Sequence, residues 1–335
     1  MMPKYPKVNY IGNKEKLADW IIENLPLRQG TVIDLFSGGA SVSYALKKNG
    51  YRVIANDILY SNYILSKAII ENKSTLLNEN VFDCSVSAKE IEDKYEKIKF
   101  LSERLYFDDE VKELAGMLCI SDVLEGYEKY LFLSLIRRSM IRKLPYSRMN
   151  VPWEQIVKLR DEEYSYKKYG RKRAYHNLSF KEHILDNLSE YNSAIFDNGF
   201  DNLSCNVDSF EMMQSLNYPV DIVYMDPPYP RTMNKYSSFY GLFDKLFDRN
   251  QSFMDFTSTN IFLSNMEKLI KVCVYKTKYV VISLNNKTSP NVAEISSMLT
   301  QFGEVKVIDK LYQYKVTGKE NKNSTFEELI ILKMK

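Results

Sequence analysis

The chain has 335 residues, 45% hydrophobic and 27% charged, the balance of a globular protein with two domains or one domain carrying a large insertion. No run of about 18 apolar residues occurs, and MMPKYPKVNY has no apolar core, so neither a membrane-spanning helix nor a secretory leader is expected. The four cysteines (Cys84, Cys119, Cys205, Cys273) are scattered and only two histidines occur (His176, His183), which argues against a zinc or other metal site and predicts reduced thiols in the cytoplasm.

In chain order, KEKLADWIIENL, 14–25, places apolar residues at helical spacing and stops before Pro26. TVIDLF, 31–36, reads as a buried strand. SGGASVSYALKKNG, 37–50, reads as a Ser-Gly-Gly turn, a helix and a glycine stop. YRVIAND, 51–57, reads as a second strand, and 60–71 as another helix. This β-α-β order predicts a doubly wound, mostly parallel sheet. The pattern then changes. Residues 75–115 are charged and helical, and 127–143 predict an amphipathic helix broken by Pro145. A stretch mixing tyrosines with basic residues follows, without a sheet pattern, from Tyr164 to Tyr175. From about 200 the α/β pattern resumes. VDIVYM, 220–225, and KYVVISL, 278–284, predict strands, and 260–274 and 291–301 predict helices. VKVIDKLYQYKV and FEELIILKM predict two strands joined by the polar loop 317–325. The simplest architecture is one α/β domain made of 1–72 and 200–335, split by an inserted, mainly helical and basic region at 73–199.

Net charge is +3, but it is unevenly spread. Residues 131–181 hold 13 of the 46 basic and 4 of the 43 acidic residues, leaving 33 basic against 39 acidic elsewhere. A basic block in an otherwise acidic chain suggests a polyanionic partner.

Two motifs carry chemistry. In DLFSGGASVS the glycines allow a sharp strand-to-helix turn and close approach of a ligand. Asp34 ends the first strand at the crevice where open α/β sheets bind ligands, and Asp57 ends the second, placed to accept hydrogen bonds from a ribose. The GxGxxG cradle of a pyrophosphate is absent. A carboxylate beside the ligand disfavours phosphate and favours a cation, and the combination looks like the first motif of S-adenosylmethionine (AdoMet)-dependent methyltransferases. The second motif, Asp226-Pro227-Pro228-Tyr229, ends the strand at 220–225. Neither proline can donate to a sheet, so the strand must stop there. The Asp226 carboxylate and the fixed Pro227 carbonyl can accept the two hydrogens of an exocyclic amine, and Tyr229 can stack on a base rotated out of a duplex.

These residues resemble the amino-methyltransferases of DNA, most closely the Dam-like, D12 or alpha-class adenine-N6 group. Their order supports this: YIGNK at 10–14, the glycine loop, a long insertion, then DPPY. The resemblance implies a Rossmann-like, AdoMet-dependent methyltransferase sheet with an inserted target-recognition region. It implies that Tyr10, Gly12, Lys14, Asp34, Phe36, Ser37, Gly38, Asp57, Asp208 and Asp226 bind AdoMet, Asp208 at the adenine ring. Asp226 to Tyr229 (Asp226, Pro227, Pro228, Tyr229) would be catalytic, with direct transfer to N6 of a flipped adenine in double-stranded DNA. A restriction endonuclease of the same restriction-modification system is the implied protein partner. DNA contacts are expected from RRSMIRKLPYSRMN, 137–150, through Arg137, Arg138, Arg142, Lys143 and Arg148. RTMNKYSSFYGLF, 231–243, is expected as a flexible loop over the base, with Lys235 and Tyr236 as contacts. The rivals are an RNA guanine-N2 or cytosine-N4 amino-methyltransferase and a non-catalytic nucleic-acid-binding subunit.

Overall fold

The computed structural model describes residues 3–170, 174–231, 236–249, 252–312 and 325–335. The chain divides into two compact units, one formed by Gly12–Ile58, Asn198–Tyr236 and Gln251–Lys335, the other by Met1–Ile11, Leu59–Asp197 and Ser237–Asn250.

The first unit is built on a seven-stranded sheet. Its strands are β1 (Thr31–Asp34), β2 (Arg52–Asn56), β3 (Leu203–Cys205), β4 (Val220–Met225), β5 (Thr277–Asn285), β6 (Gly303–Tyr312) and β7 (Thr325–Met334). The spatial order is β3-β2-β1-β4-β5-β7-β6. β1 to β5 pair in parallel, and β7 runs antiparallel between β5 and β6. This is the Rossmann-like α/β sheet that the sequence predicts. Strands buried on both faces need near-continuous apolar runs, and the core strands have them. Ile33, Ile54, Val223, Ile282 and Ile330 share one core with Met212, Met266 and Ile295 from helices, and the alternating Val32, Val53, Ile222 and Val281 are also fully buried. The chain order reverses between β1 and β4, which makes the C-terminal ends of these two strands the topological switch point. Asp34 lies opposite Tyr224 there, two residues before Asp226.

The second unit is helical. Its longest helices are Asp108–Val123, Gly126–Arg142 and Phe180–Ser193. Polar starts define several of them. Ser87 caps Ala88–Ile98 and Ser179 caps Phe180–Ser193, each in a reciprocal box with a glutamate three residues on. The region expected as an insertion at 73–199 lies, up to Asp197, within a unit that also includes 1–11, 59–72 and 237–250. The Gly126–Arg142 helix departs from its amphipathic expectation, because every residue from Leu131 to Ile141 is buried, Arg137 and Arg138 included. A helix buried all round is a central element, not a surface one.

The expected loop at 231–243 is also corrected. Residues Tyr236–Asp244 form a helix. Its end is fixed by the Asp244 carboxylate, which accepts from the backbone N–H groups of Tyr60 (2.8 Å) and Ser61 (2.9 Å), and Tyr240 and Phe243 are fully buried. Lys235 falls outside the described residues.

Candidate active site

The turn after β1 is shaped by backbone bonds. Leu35 N–H donates to the Tyr224 carbonyl (3.0 Å) and Ser37 N–H to the Asn56 carbonyl (2.9 Å), which ties the turn to both neighbouring strands. Gly38 has φ +50°, a conformation that favours glycine. Its N–H donates to Asp57 Oδ2 at 2.7 Å, and the Asp57 carbonyl accepts from Asn206 Nδ2 at 2.8 Å. Asp57, expected at a ribose, thus braces the glycine loop. Phe36 packs edge-on against Phe256, with ring centroids 5.4 Å apart.

Asp34 is 1% exposed. Ser43 Oγ donates to its Oδ2 at 2.6 Å, while Oδ1 is buried with no hydrogen-bond partner among the described residues. Burial lifts its pKa to about 7, Ser43 opposes this, and the charges of Asp226 and Asp57 push it further up. An uncompensated buried carboxylate oxygen is costly unless a cation or donor meets it. The residues present therefore fit a ligand bearing an ammonium or sulfonium charge.

Lys14 lies in the same unit, 4% exposed. Its Nζ is 3.0 Å from Glu327 Oε2, 3.5 Å from Asp226 Oδ1 and 6.0 Å from the Tyr229 ring centroid. Burial raises the pKa of Asp226 to about 6, with Lys14 pulling down and Glu327 pushing up. Tyr229 is 7% exposed and its hydroxyl accepts from Asn285 Nδ2 at 3.2 Å. Burial moves this phenol well above its usual range. Gly12 has φ +82°, at the turn that brings Lys14 in. Glu327 and Asn285 were not among the expected site residues; they face each other directly across β5 and β7. Only strand register reveals that relation, and no local motif encodes it.

Asp208 caps the Ser209–Ser215 helix: Oδ1 accepts from Phe210 N–H (2.8 Å) and Glu211 N–H (3.3 Å), and Oδ2 from Met254 N–H (2.8 Å). Both oxygens already serve the backbone, so an adenine contact would have to use a remaining lone pair.

The expected residues do not all lie in one unit. Tyr10 belongs to the helical unit, where its ring stacks on Tyr240 (centroids 5.0 Å apart, planes 19°). The surface role expected of Arg137, Arg138 and Lys143 needs correction, because all three are at most 2% exposed. Lys143 Nζ is 2.7 Å from Glu110 Oε1 and also donates to the Leu178 carbonyl. Glu110 is gripped in turn by both terminal nitrogens of Arg160, at 2.8 and 2.6 Å. This buried triad links Asp108–Val123 to Trp153–Arg160. The Arg137 guanidinium lies 6.0 and 5.5 Å from the Tyr10 and Tyr240 ring centroids, with Nη2 3.4 Å from Asn62 Oδ1. Arg142 and Arg148 are half-buried, against Tyr175 (4.8 Å) and against Tyr146 and Phe239 (5.6 and 5.7 Å). Tyr236 opens the Tyr236–Asp244 helix.

Among the described residues no group of three or more His, Cys, Asp or Glu side chains could hold a metal ion, and no helix is long and apolar enough to cross a membrane.

Comparison with known proteins agrees with this geometry. The family described as D12 class N6 adenine-specific DNA methyltransferase matches residues 10–298. The chain is 45% identical to the Type II methyltransferase M2.HphI of Haemophilus parahaemolyticus, over 98% of each chain. It is 25% identical to the Type II methyltransferase M.NlaIII of Neisseria lactamica, over 97% of this chain and 99% of that one. It is also 25% identical to the modification methylase StsI of Streptococcus sanguinis, over 96% of this chain and 51% of that one.

Proposed function

Because the chain belongs to the D12 class of N6 adenine-specific DNA methyltransferases, we propose that it transfers a methyl group from AdoMet to N6 of a flipped adenine in double-stranded DNA. It would act in the cytoplasm as the modification half of a restriction-modification system, beside a restriction endonuclease. The observation that carries the cofactor reading is the buried, half-unpartnered carboxylate of Asp34 at the switch point. AdoMet supplies, when bound, an activated methyl group on a positively charged sulfur.

The residues of the chain account for the rest. Asp34 and the loop Phe36-Ser37-Gly38, braced by Asp57, form a wall that accepts cationic and hydroxyl groups. Gly12, Lys14 and Asp208 complete the proposed cofactor set in this unit. Asp226 and the Pro227 carbonyl accept the two hydrogens of the adenine amine, which draws the nitrogen toward a tetrahedral, nucleophilic form. On taking the methyl group that AdoMet would supply, the amine would release its proton along the Asp226 hydrogen bond. Pro227 and Pro228 hold these acceptors in place before reaction. Tyr229, its hydroxyl held by Asn285, offers a fixed ring against which the base stacks. Region 73–199 would carry target recognition, with Arg142 and Arg148 supplying the DNA contacts that the buried Arg137, Arg138 and Lys143 are not placed to make.

Tritium transfer from labelled AdoMet to mixed-sequence duplex DNA, followed by nucleoside analysis, tests this reading. Label in N6-methyldeoxyadenosine is expected. Label in cytosine, label only in RNA, or no transfer with a substrate-competent preparation would overturn it.

A further inference from the structure

Lys14 is contested by two carboxylates. Its ammonium sits 3.0 Å from Glu327 and 3.5 Å from Asp226, so the shorter bond goes to the residue that has no part in the expected chemistry. Glu327 is fully buried, on β7, opposite Asn285, which holds the Tyr229 hydroxyl. One rung of the β5–β7 ladder thus supports two members of the site, and Glu327 lies beyond the stretch 10–298 that matches the family.

A lysine closed fully onto Asp226 would occupy the lone pairs that the adenine amine needs, and would make the carboxylate a poorer acceptor. We propose that Glu327 is a positioning residue that holds the Lys14 ammonium in its own ion pair and so keeps Asp226 open as the acceptor for the adenine amine. This rests on the role of Asp226 given above. Ionisable groups face Asp226 from several elements: Lys14 from the N-terminal segment, Glu327 from β7, Asp34 from the end of β1, and the phenols of Tyr224 and Tyr229. Glu328, which faces Asp309 across β6 and β7, adds negative charge next to Glu327.

The experiment is the pH profile of single-turnover methyl transfer at saturating AdoMet and DNA, for the wild type, Glu327→Gln and Asp226→Asn. Removing the Glu327 charge takes a negative neighbour from Asp226 and frees Lys14 to approach it. Both effects favour the ionised carboxylate. The acid limb is therefore expected to move down by about one unit, while the plateau rate falls about tenfold. A purely structural role would lower the rate and leave the limb where it is. An unmoved or raised limb overturns the proposal. If Asp226→Asn keeps the wild-type rate, the reading of Asp226 itself fails, which is a distinguishable result. Should Glu327→Gln not fold, Glu327→Asp carries the test: it keeps the negative charge but shortens the arm that holds Lys14, so Lys14 is freed toward Asp226 and the limb should again move down. An unmoved or raised limb in this variant would overturn the proposal.

Discussion

Replacing Asp34 with asparagine is expected to stabilise the ligand-free protein at pH 8 while destroying AdoMet binding. The carboxylate has a pKa of about 7 in the fold against 3.8 ordinarily, because it is buried. The sign follows from linkage. Between these two values the folded state holds a proton that the unfolded state has lost, so stability falls as pH rises from about 4 to 7 and stays low above. A shift of about three units corresponds to roughly 4 kcal/mol at full development. The neutral amide of Asp34→Asn would avoid that penalty and can still accept from Ser43, so the variant should gain about 2–4 kcal/mol over wild type at pH 8, and almost nothing at pH 4. Saturating AdoMet should reverse the order at pH 8, because its positive charge meets the carboxylate in wild type and finds no counter-charge in the variant. Urea unfolding at pH 4 and 8, with and without AdoMet, measures all four differences. A variant less stable than wild type at pH 8 without ligand would refute the reasoning, since the Asp34 carboxylate would then already be satisfied. Binding in wild type should also release a proton near pH 6.5, read as a buffer-dependent heat in calorimetry.

Asp226→Ala should abolish transfer yet leave DNA affinity largely intact in a gel-shift titration; wild-type-like turnover would sink the mechanism. Glu110→Ala strands Lys143 and Arg160, whose side chains are 1% and 5% exposed, and should cost about 3–5 kcal/mol of stability in urea unfolding. Burial alone would raise the pKa of Glu110, but Arg160 and Lys143 outweigh it and hold the group below its ordinary value. The stability that this triad adds should therefore be lost as pH falls through that lowered value, and a Glu110 variant should lack this acid sensitivity. Arg142→Ala and Arg148→Ala should each weaken DNA binding and lower the salt slope by about one, where Lys143→Met should lower stability instead.

The apolar strands of the sheet were legible because burial on both faces leaves a continuous hydrophobic run, as in VDIVYM and KYVVISL. β3 was missed because Leu203–Cys205 is three residues long, too short for any period to register. Charge counting found the basic block but had no measure of depth. It grouped Lys143, locked to Glu110, with Arg142 and Arg148, which are half-buried beside aromatic rings. The same stretch hid the central character of Gly126–Arg142, because arginines read as a solvated face until their burial is known. Asp34, Asp57 and Asp226 were legible because each ends a strand that the sequence marks. Glu327 was not, since FEELI gives no sign of which carboxylate meets a lysine near the other end of the chain.

The bond between Lys14 and Glu327 joins residues 313 positions apart. Closing so long a stretch of flexible chain costs about 5 kcal/mol in configurational freedom, which no local contact can offset early. Such a link is expected to form late, after shorter-range pairings have drawn its ends together. A growing polypeptide that has already made YIGNK, the glycine loop and DPPY still lacks β7, so all its signature motifs exist before the lysine can be set in place. Reactivity would then arrive with β7, which makes the arrangement of the site depend on a strand made long after the motifs.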